Sequence, residues 1–175
     1  PQWRVVAGGS HQYVQALTRS YQDRIRLRLP VQSIVRHLDR VDVKPWGEEP
    51  ERFDQVIIAT HSDQALTLLA DPTEAEREVL GALPYQRNEV ILHTDASILP
   101  RSRRAWAGWN YHRLREDHGN IAVTYNMNLL QSLHSTEPFC VTLNRTDAID
   151  PEKIIQRFTY HHPVYTARGV AAQKQ

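Results

Sequence analysis

The sequence predicts an α+β fold, and three patterns in its 175 residues predict it. Short segments with helical spacing, punctuated by glycine and proline, fill much of the first half. An unbroken apolar run, Phe53 to Thr60, leads straight into one of them. From residue 86 onward the pattern changes to long alternating strands of the kind found in antiparallel sheets with one side packed and the other open to water or to a cavity. The length gives room for one ordinary domain with a real core.

Gly8 and Gly9 supply a turn, and Ser10 is placed to cap a helix running to about residue 21, with Tyr13, Val14, Leu17 and Tyr21 at helical spacing. Ile25, Leu27 and Leu29 alternate with Arg24, Arg26 and Arg28, which predicts a half-buried strand interrupted by Pro30. A second extended run starts at Val31, a third covers Val41 to Lys44, and PWGEEPER (Pro45 to Arg52) is a polar turn region. FDQVIIAT (Phe53 to Thr60) suits a strand buried on both faces, followed by a helix over about residues 62 to 70 capped by Ser62 or Asp63. The next helix is predicted to start with Asp71 as N-cap, Pro72 at the first helical position and Glu74 reaching back. Strands follow at Glu89 to Asp95, Ala105 to His112, Ile121 to Met127 and Phe139 to Leu143. Asp150 and Pro151 start a short helix, Arg157 to His162 makes a last strand, and ARGVAAQKQ reads as a tail.

The 21 Lys and Arg residues against 20 Asp and Glu are mixed along the chain, leaving no basic footprint for nucleic acid. No apolar run reaches the length needed to span a bilayer, and the single Cys140 fits a reducing compartment, so a soluble cytoplasmic protein is expected. Both ends look cut, which suggests a piece of a larger protein. His161 and His162 are adjacent and point to opposite faces of a strand. The turn holding His112, Glu116, Asp117 and His118 reads as a solvated hairpin, so no metal is expected. Cys140 reads as a half-buried strand residue rather than a nucleophile. Aromatic residues cluster in AWAGWNYH, with Tyr125, Phe158 and Tyr160 on strands that could lie beside them. Trp106 and Trp109 have opposite strand parity, so both serve one wall only if a bulge at Gly108 re-aims one.

The order W-x-x-V-x-G-G-S-x-x-Y-V-x-x-L (Trp3 to Leu17), P-V-x-S-I (Pro30 to Ile34) and F-D-x-V-I-I-A-T-H-S-D-Q-A-L (Phe53 to Leu66) resembles the flavin-containing amine oxidase superfamily. Tyr85 to Asp95, Ala105 to Tyr111, Val123 to Gln131 and the H-P-V-Y near residue 162 fit the same group. Within it, the chain most closely resembles bacterial proteins described as predicted NAD/FAD-binding or amine-oxidase-like oxidoreductases.

This resemblance implies a central fragment of an FAD-dependent oxidoreductase in which hydride passes from a small-molecule substrate to the flavin. Its partners would be that substrate and the remaining parts of the same enzyme chain. Residues 1–70 would be a partial FAD-binding segment, a small returning part of an α/β domain, and 71–175 a sheet-based substrate domain with flanking helices. Carried over by position, the cofactor-binding residues are Gly8, Gly9, Val31, Ala59 and Thr60, and the pocket wall is Trp109 and Tyr111. The resemblance also implies a lysine near the flavin. Neither Lys44 nor Lys153 stands in a matching motif, so no catalytic residue is assigned, and the chain alone is expected to be inactive. The alternative from a different class is a non-enzymatic ligand- or partner-binding α+β domain whose aromatic face holds an apolar molecule.

Overall fold

The computed structural model describes residues 4–114 and 120–175. It divides into two compact units, one formed by 1–22 and 87–161, the other by 23–86 and 162–175. The architecture is α+β. Helices and strands appear in the order α1 (His11–Thr18), β1 (Val31–Arg36), β2 (Val41–Pro45), β3 (Glu51–Phe53), α2 (Ser62–Leu68), α3 (Glu74–Leu80) and β4 (Tyr85–His93). They continue as β5 (Trp109–His112), β6 (Ala122–Asn126), α4 (Met127–Gln131), β7 (Cys140–Leu143), β8 (Ile154–Pro163) and α5 (Ala167–Ala172).

In the second unit, β1, β2 and β3 form an antiparallel meander, with the polar turn after β2 pivoting on Gly47 at φ +75°. Ile34, 2% exposed, anchors α2 onto the meander, and its carbonyl accepts from the Ala70 N–H at 2.9 Å. Two sequence expectations fail here. Ile25 to Leu29 is no strand: Arg28 lies at φ +57°, which breaks an extended run, and Leu27 is 81% exposed. Asp54 to Thr60 is no strand either. A strand buried on both faces needs ladder partners on both sides, and the meander does not reach this run, so Ile57 stands 93% exposed.

Helix α3 has the expected capping box, shifted along the chain. Thr73, not Asp71, is the N-cap, and its Oγ1 accepts from the Glu76 N–H while Glu76 Oε2 accepts from the Thr73 N–H. Asp71 is drawn off by Arg36, whose Nε donates to its carboxylate at 3.2 Å. The Arg36 guanidinium, together with the Thr73 N–H, also holds the Glu76 carboxyl at about 2. The tail is a helix, α5, in which Thr166 caps the Gly169 N–H. A Cβ at Gly169 would meet Leu83 Cδ2 at 2.7 Å, so the glycine is what lets this helix pack so closely.

In the first unit a five-stranded sheet runs β5-β6-β7-β4-β8, with β5–β6, β6–β7 and β7–β4 antiparallel. Its core is Ile91, Ile98, Leu99, Cys140 and Ile149, with Trp106 packed against them. The sheet's packed side carries the small polar residues. Ala122, Thr124 and Asn126 are buried, whereas Ile121 on the alternate face is 65% exposed. The polar side chains tolerate this burial because each finds a partner, Thr124 in Thr142 across the strands and Asn126 in the Leu129 N–H that it caps at the start of α4.

Candidate functional site

Register on the sheet decides where the aromatic residues go. Trp109 pairs with Tyr125 and Tyr111 with Val123, so Trp109 and Tyr111 project from the same face of edge strand β5, opposite the buried Asn110. They are 67% and 70% exposed. The Trp109 ring meets Tyr125 edge-on, 5.7 Å between centroids and 80° between planes. Trp109 also borders a concavity of about 530 Å³ with Arg4, Val5, Gly108, Leu129, Leu130 and Ser132. A Cβ on Gly108 would press to 3.0 Å from Leu130, so glycine keeps α4 tight against the start of β5.

Trp106 takes no part in this wall. It ends a 3-10 turn, donates its indole N–H to the Pro100 carbonyl at 2.8 Å, carries Arg103 over its ring and packs on the core. No bulge is needed to separate the two tryptophans, because only Trp109 is on the strand. Phe158 and Tyr160 stack on each other on β8, at the far edge of the sheet from β5, so the aromatic residues do not form one surface.

The positions expected to meet a dinucleotide differ in how well they fit it. Gly8 and Gly9 adopt φ of +78° and +85° just ahead of α1, and a Cβ on Gly9 would meet nothing within 4 Å. The first turn of α1 has no acidic residue and Ser10, at the N-cap position, makes no side-chain cap bond, but the Gly9 N–H is taken by the Val6 carbonyl at 3.0 Å and the Gln12 N–H by the Gly9 carbonyl at 3.2 Å. Val31 faces Pro45, which has no N–H, and the register shifts between Val31 and Ser33. That pair therefore cannot exchange both ladder bonds, and the neighbouring Trp46 N–H donates to the Pro30 carbonyl at 2.9 Å. Ala59 and Thr60 are small and exposed, as a close backbone approach requires.

The helix after them offers no anion seat. Neither Ser62 nor Asp63 caps α2; His61 does, its N–H donating to Gln64 Oε1. The Ser62 N–H is taken by Tyr85 Oη at 3.0 Å and the Gln64 N–H by the Asp63 carboxylate at 2.8 Å. The His61 ring stacks on Tyr85 at 4.4 Å. Ala59 and Thr60 thus form an exposed rim of small groups ahead of a helix whose Ser62 and Gln64 N–H groups are already bonded.

The sequence reading missed a line of buried polar side chains across four strands. Arg145 donates to His112 Nδ1 at 2.7 Å, and His112 Nε2 lies 2.7 Å from Thr124 Oγ1. That hydroxyl is 2.8 Å from Thr142 Oγ1, which is 2.8 Å from His93 Nε2. The Asp95 N–H donates to His93 Nδ1 at 3.1 Å. Asp95 itself is 2% exposed. Burial opposes its ionisation, yet the Asp150 and Ser97 N–H groups and the Lys153 charge 3.6 Å away hold the carboxyl at about 2. Cys140, fully buried beside this line, has its thiol pushed up to about 11 by burial and by Asp95, which makes it a poor nucleophile. The signal in the sequence was the period-two recurrence of Asn110 and His112, of Thr124 and Asn126, and of Thr142, all on one side of their strands. His118, Glu116 and Asp117 lie outside the described residues.

Comparison with known proteins bears on the fold and the family. No curated protein sequence matches the chain. Among solved structures, the chain is similar to a fatty acid isomerase from P. acnes that produces CLA, at TM-score 0.58 and 16% identity, covering 87% of this chain and 39% of the other. It is similar to a putative protoporphyrinogen oxidase from Exiguobacterium sp. 255-15, at TM-score 0.55 and 15% identity over 95% of this chain and 43% of the other. A cyclohexylamine oxidase from Brevibacterium oxydans IH-35A follows at TM-score 0.52 and 12% identity, over 88% and 38%. The chain thus spans less than half the length of each of these proteins, and at such identities the likeness establishes the fold alone. The family described as flavin containing amine oxidoreductase matches residues 1–160, well over half of the sequence. The chain belongs to the flavin-containing amine oxidoreductase family.

Proposed function

We propose that the chain is the central portion of an FAD-dependent oxidoreductase of amine-oxidase type, inactive without the rest of its enzyme. The family match over residues 1–160 carries this reading, and the coverage of 38–43% of the three structures is consistent with a portion. Residues 1–70 contribute a partial FAD-binding segment and 71–175 the sheet-based substrate domain. When bound, the flavin supplies the hydride-accepting chemistry. The residues of this chain position what reacts. Gly8 and Gly9 hold a backbone loop open at a helix end, Val31 offers a main-chain edge, and Ala59 with Thr60 form a low rim. Trp109 and Tyr111 form the substrate wall. Their outward rings on a rigid strand expel water and orient an apolar or planar substrate at small entropic cost.

The test is anaerobic mixing of the full-length protein with a panel of primary amines, following loss of the oxidised flavin colour. At least one amine is expected to bleach it. Trp109→Ala and Tyr111→Ala should each raise the half-saturating concentration about tenfold, the worth of one buried aromatic contact, with flavin content unchanged. Bleaching by no amine removes the amine substrate class. Unchanged half-saturation in both variants removes the wall.

A further inference from the structure

The buried polar line has an unusual proton inventory. Both of its ends are pure donors, the Arg145 guanidinium and the Asp95 backbone N–H. Each end occupies the Nδ1 of the imidazole beside it. A neutral imidazole carries one proton, so His93 and His112 must both hold theirs on Nε2 and donate inward, to Thr142 and Thr124. Of the two hydroxyls 2.8 Å apart, one then donates to the other and the second turns its hydrogen off the line. The line is already one proton over-full. A further proton on His112 would set Nδ1–H against the guanidinium, and one on His93 would set it against the Asp95 N–H.

The groups facing each ring agree. His112 meets Thr124 and Ala122 from β6 and Arg145 from the turn after β7, and among the described residues Arg145 is the charged group against it. Burial first, and the Arg145 charge second, push His112 below the usual imidazole range. His93 meets Thr142 and Cys140 from β7 and Asp95 from the end of its own strand, with Lys153 ion-paired to that carboxylate. Burial lowers His93 too, against an opposing pull from Asp95.

His112 sits on β5, an edge strand of four residues paired on one side only, whose outer face carries Trp109 and Tyr111. Besides its ladder bonds, β5 is strapped to β6 by Asn110, which donates to the Thr124 carbonyl at 3.2 Å, and by His112. We propose that His112 is an acid-sensitive latch: neutral, it bridges Thr124 and Arg145, and on gaining a proton it keeps its Nε2–H bond to Thr124, lets go of Arg145 and unties the end of the aromatic edge strand β5 from the turn after β7. Any consequence for substrate binding rests on the reading of Trp109 and Tyr111 as the wall; the latch itself does not. Because the folded imidazole titrates below its unfolded value, the latch is intact above about pH 6.5 and is lost as the pH falls through the lower, folded value.

Amide hydrogen exchange of the full-length protein, corrected for intrinsic rates, tests this without flavin turnover or substrate. In the wild type, protection of peptides spanning 109–112 should drop between pH 7.5 and 5, by roughly fivefold or more. His112→Gln can donate to Thr124 and accept from Arg145 but cannot titrate, so its protection should not change over that range. Thr124→Val, which removes the acceptor, should be loose already at pH 7.5. The decisive comparison is the pH dependence of wild type against His112→Gln, which remains available if Thr124→Val does not fold. A wild type whose β5 is equally protected at both pH values overturns the latch, as does a His112→Gln protein that loosens in acid as the wild type does.

Discussion

Among single residues, Asp95 ties together more of the sheet unit than any ring on the aromatic face. Its carboxylate accepts from Ser97 and Asp150, pairs with Lys153, and its own N–H fixes the tautomer of His93. Truncating it would strand buried N–H groups at the end of β4 and at the turn before β8. Asp95→Ala is therefore expected to lower the unfolding free energy by about 3 kcal/mol or more, measured by urea denaturation, with Asp95→Asn intermediate because one acceptor oxygen survives. The sequence could not have singled out Asp95 from twenty acidic residues, because its role depends on Asp150 and Lys153, which lie more than fifty positions away. That Trp109 and Tyr111 share one face was legible, since strand parity alone places them there, and that face is open.

At the scale of elements, local chemistry was read correctly in kind and misplaced where a distant partner competed. The α3 capping box exists, but Arg36 claims Asp71 and moves the cap to Thr73. Thr73→Ala is expected to cost about 1 kcal/mol by thermal or chemical denaturation, and Asp71→Ala to leave the cap intact. Ile25 to Leu29 shows why alternation alone does not make a strand: it promises a buried face only if something covers it, and Leu27 has no cover. Phe53 to Thr60 shows the same for an apolar run, whose strand character depends on neighbours in a sheet. Helices α4 and α5, of five and six residues, are too short to show a helical period and are held by caps from Asn126 and Thr166.

For the whole molecule, the α+β class and the family were legible because they rest on ordered motifs spread along most of the chain. Of the points near residues 22, 86 and 161 where the chain passes between units, the sequence marks 86, by its change to long alternating strands, and does not mark 22 or 161. In the proposed function, this sequence supplies a rim and a substrate wall to a flavoprotein whose pyrophosphate seat lies in the rest of the enzyme. Fluorescence titration with FAD, run on the full-length protein and on residues 1–175 side by side, tests it most directly. Saturable binding of one FAD per chain by the full-length protein, with the 1–175 chain leaving FAD free, is the predicted result. A full-length protein that purifies colourless and takes up no added FAD would contradict it.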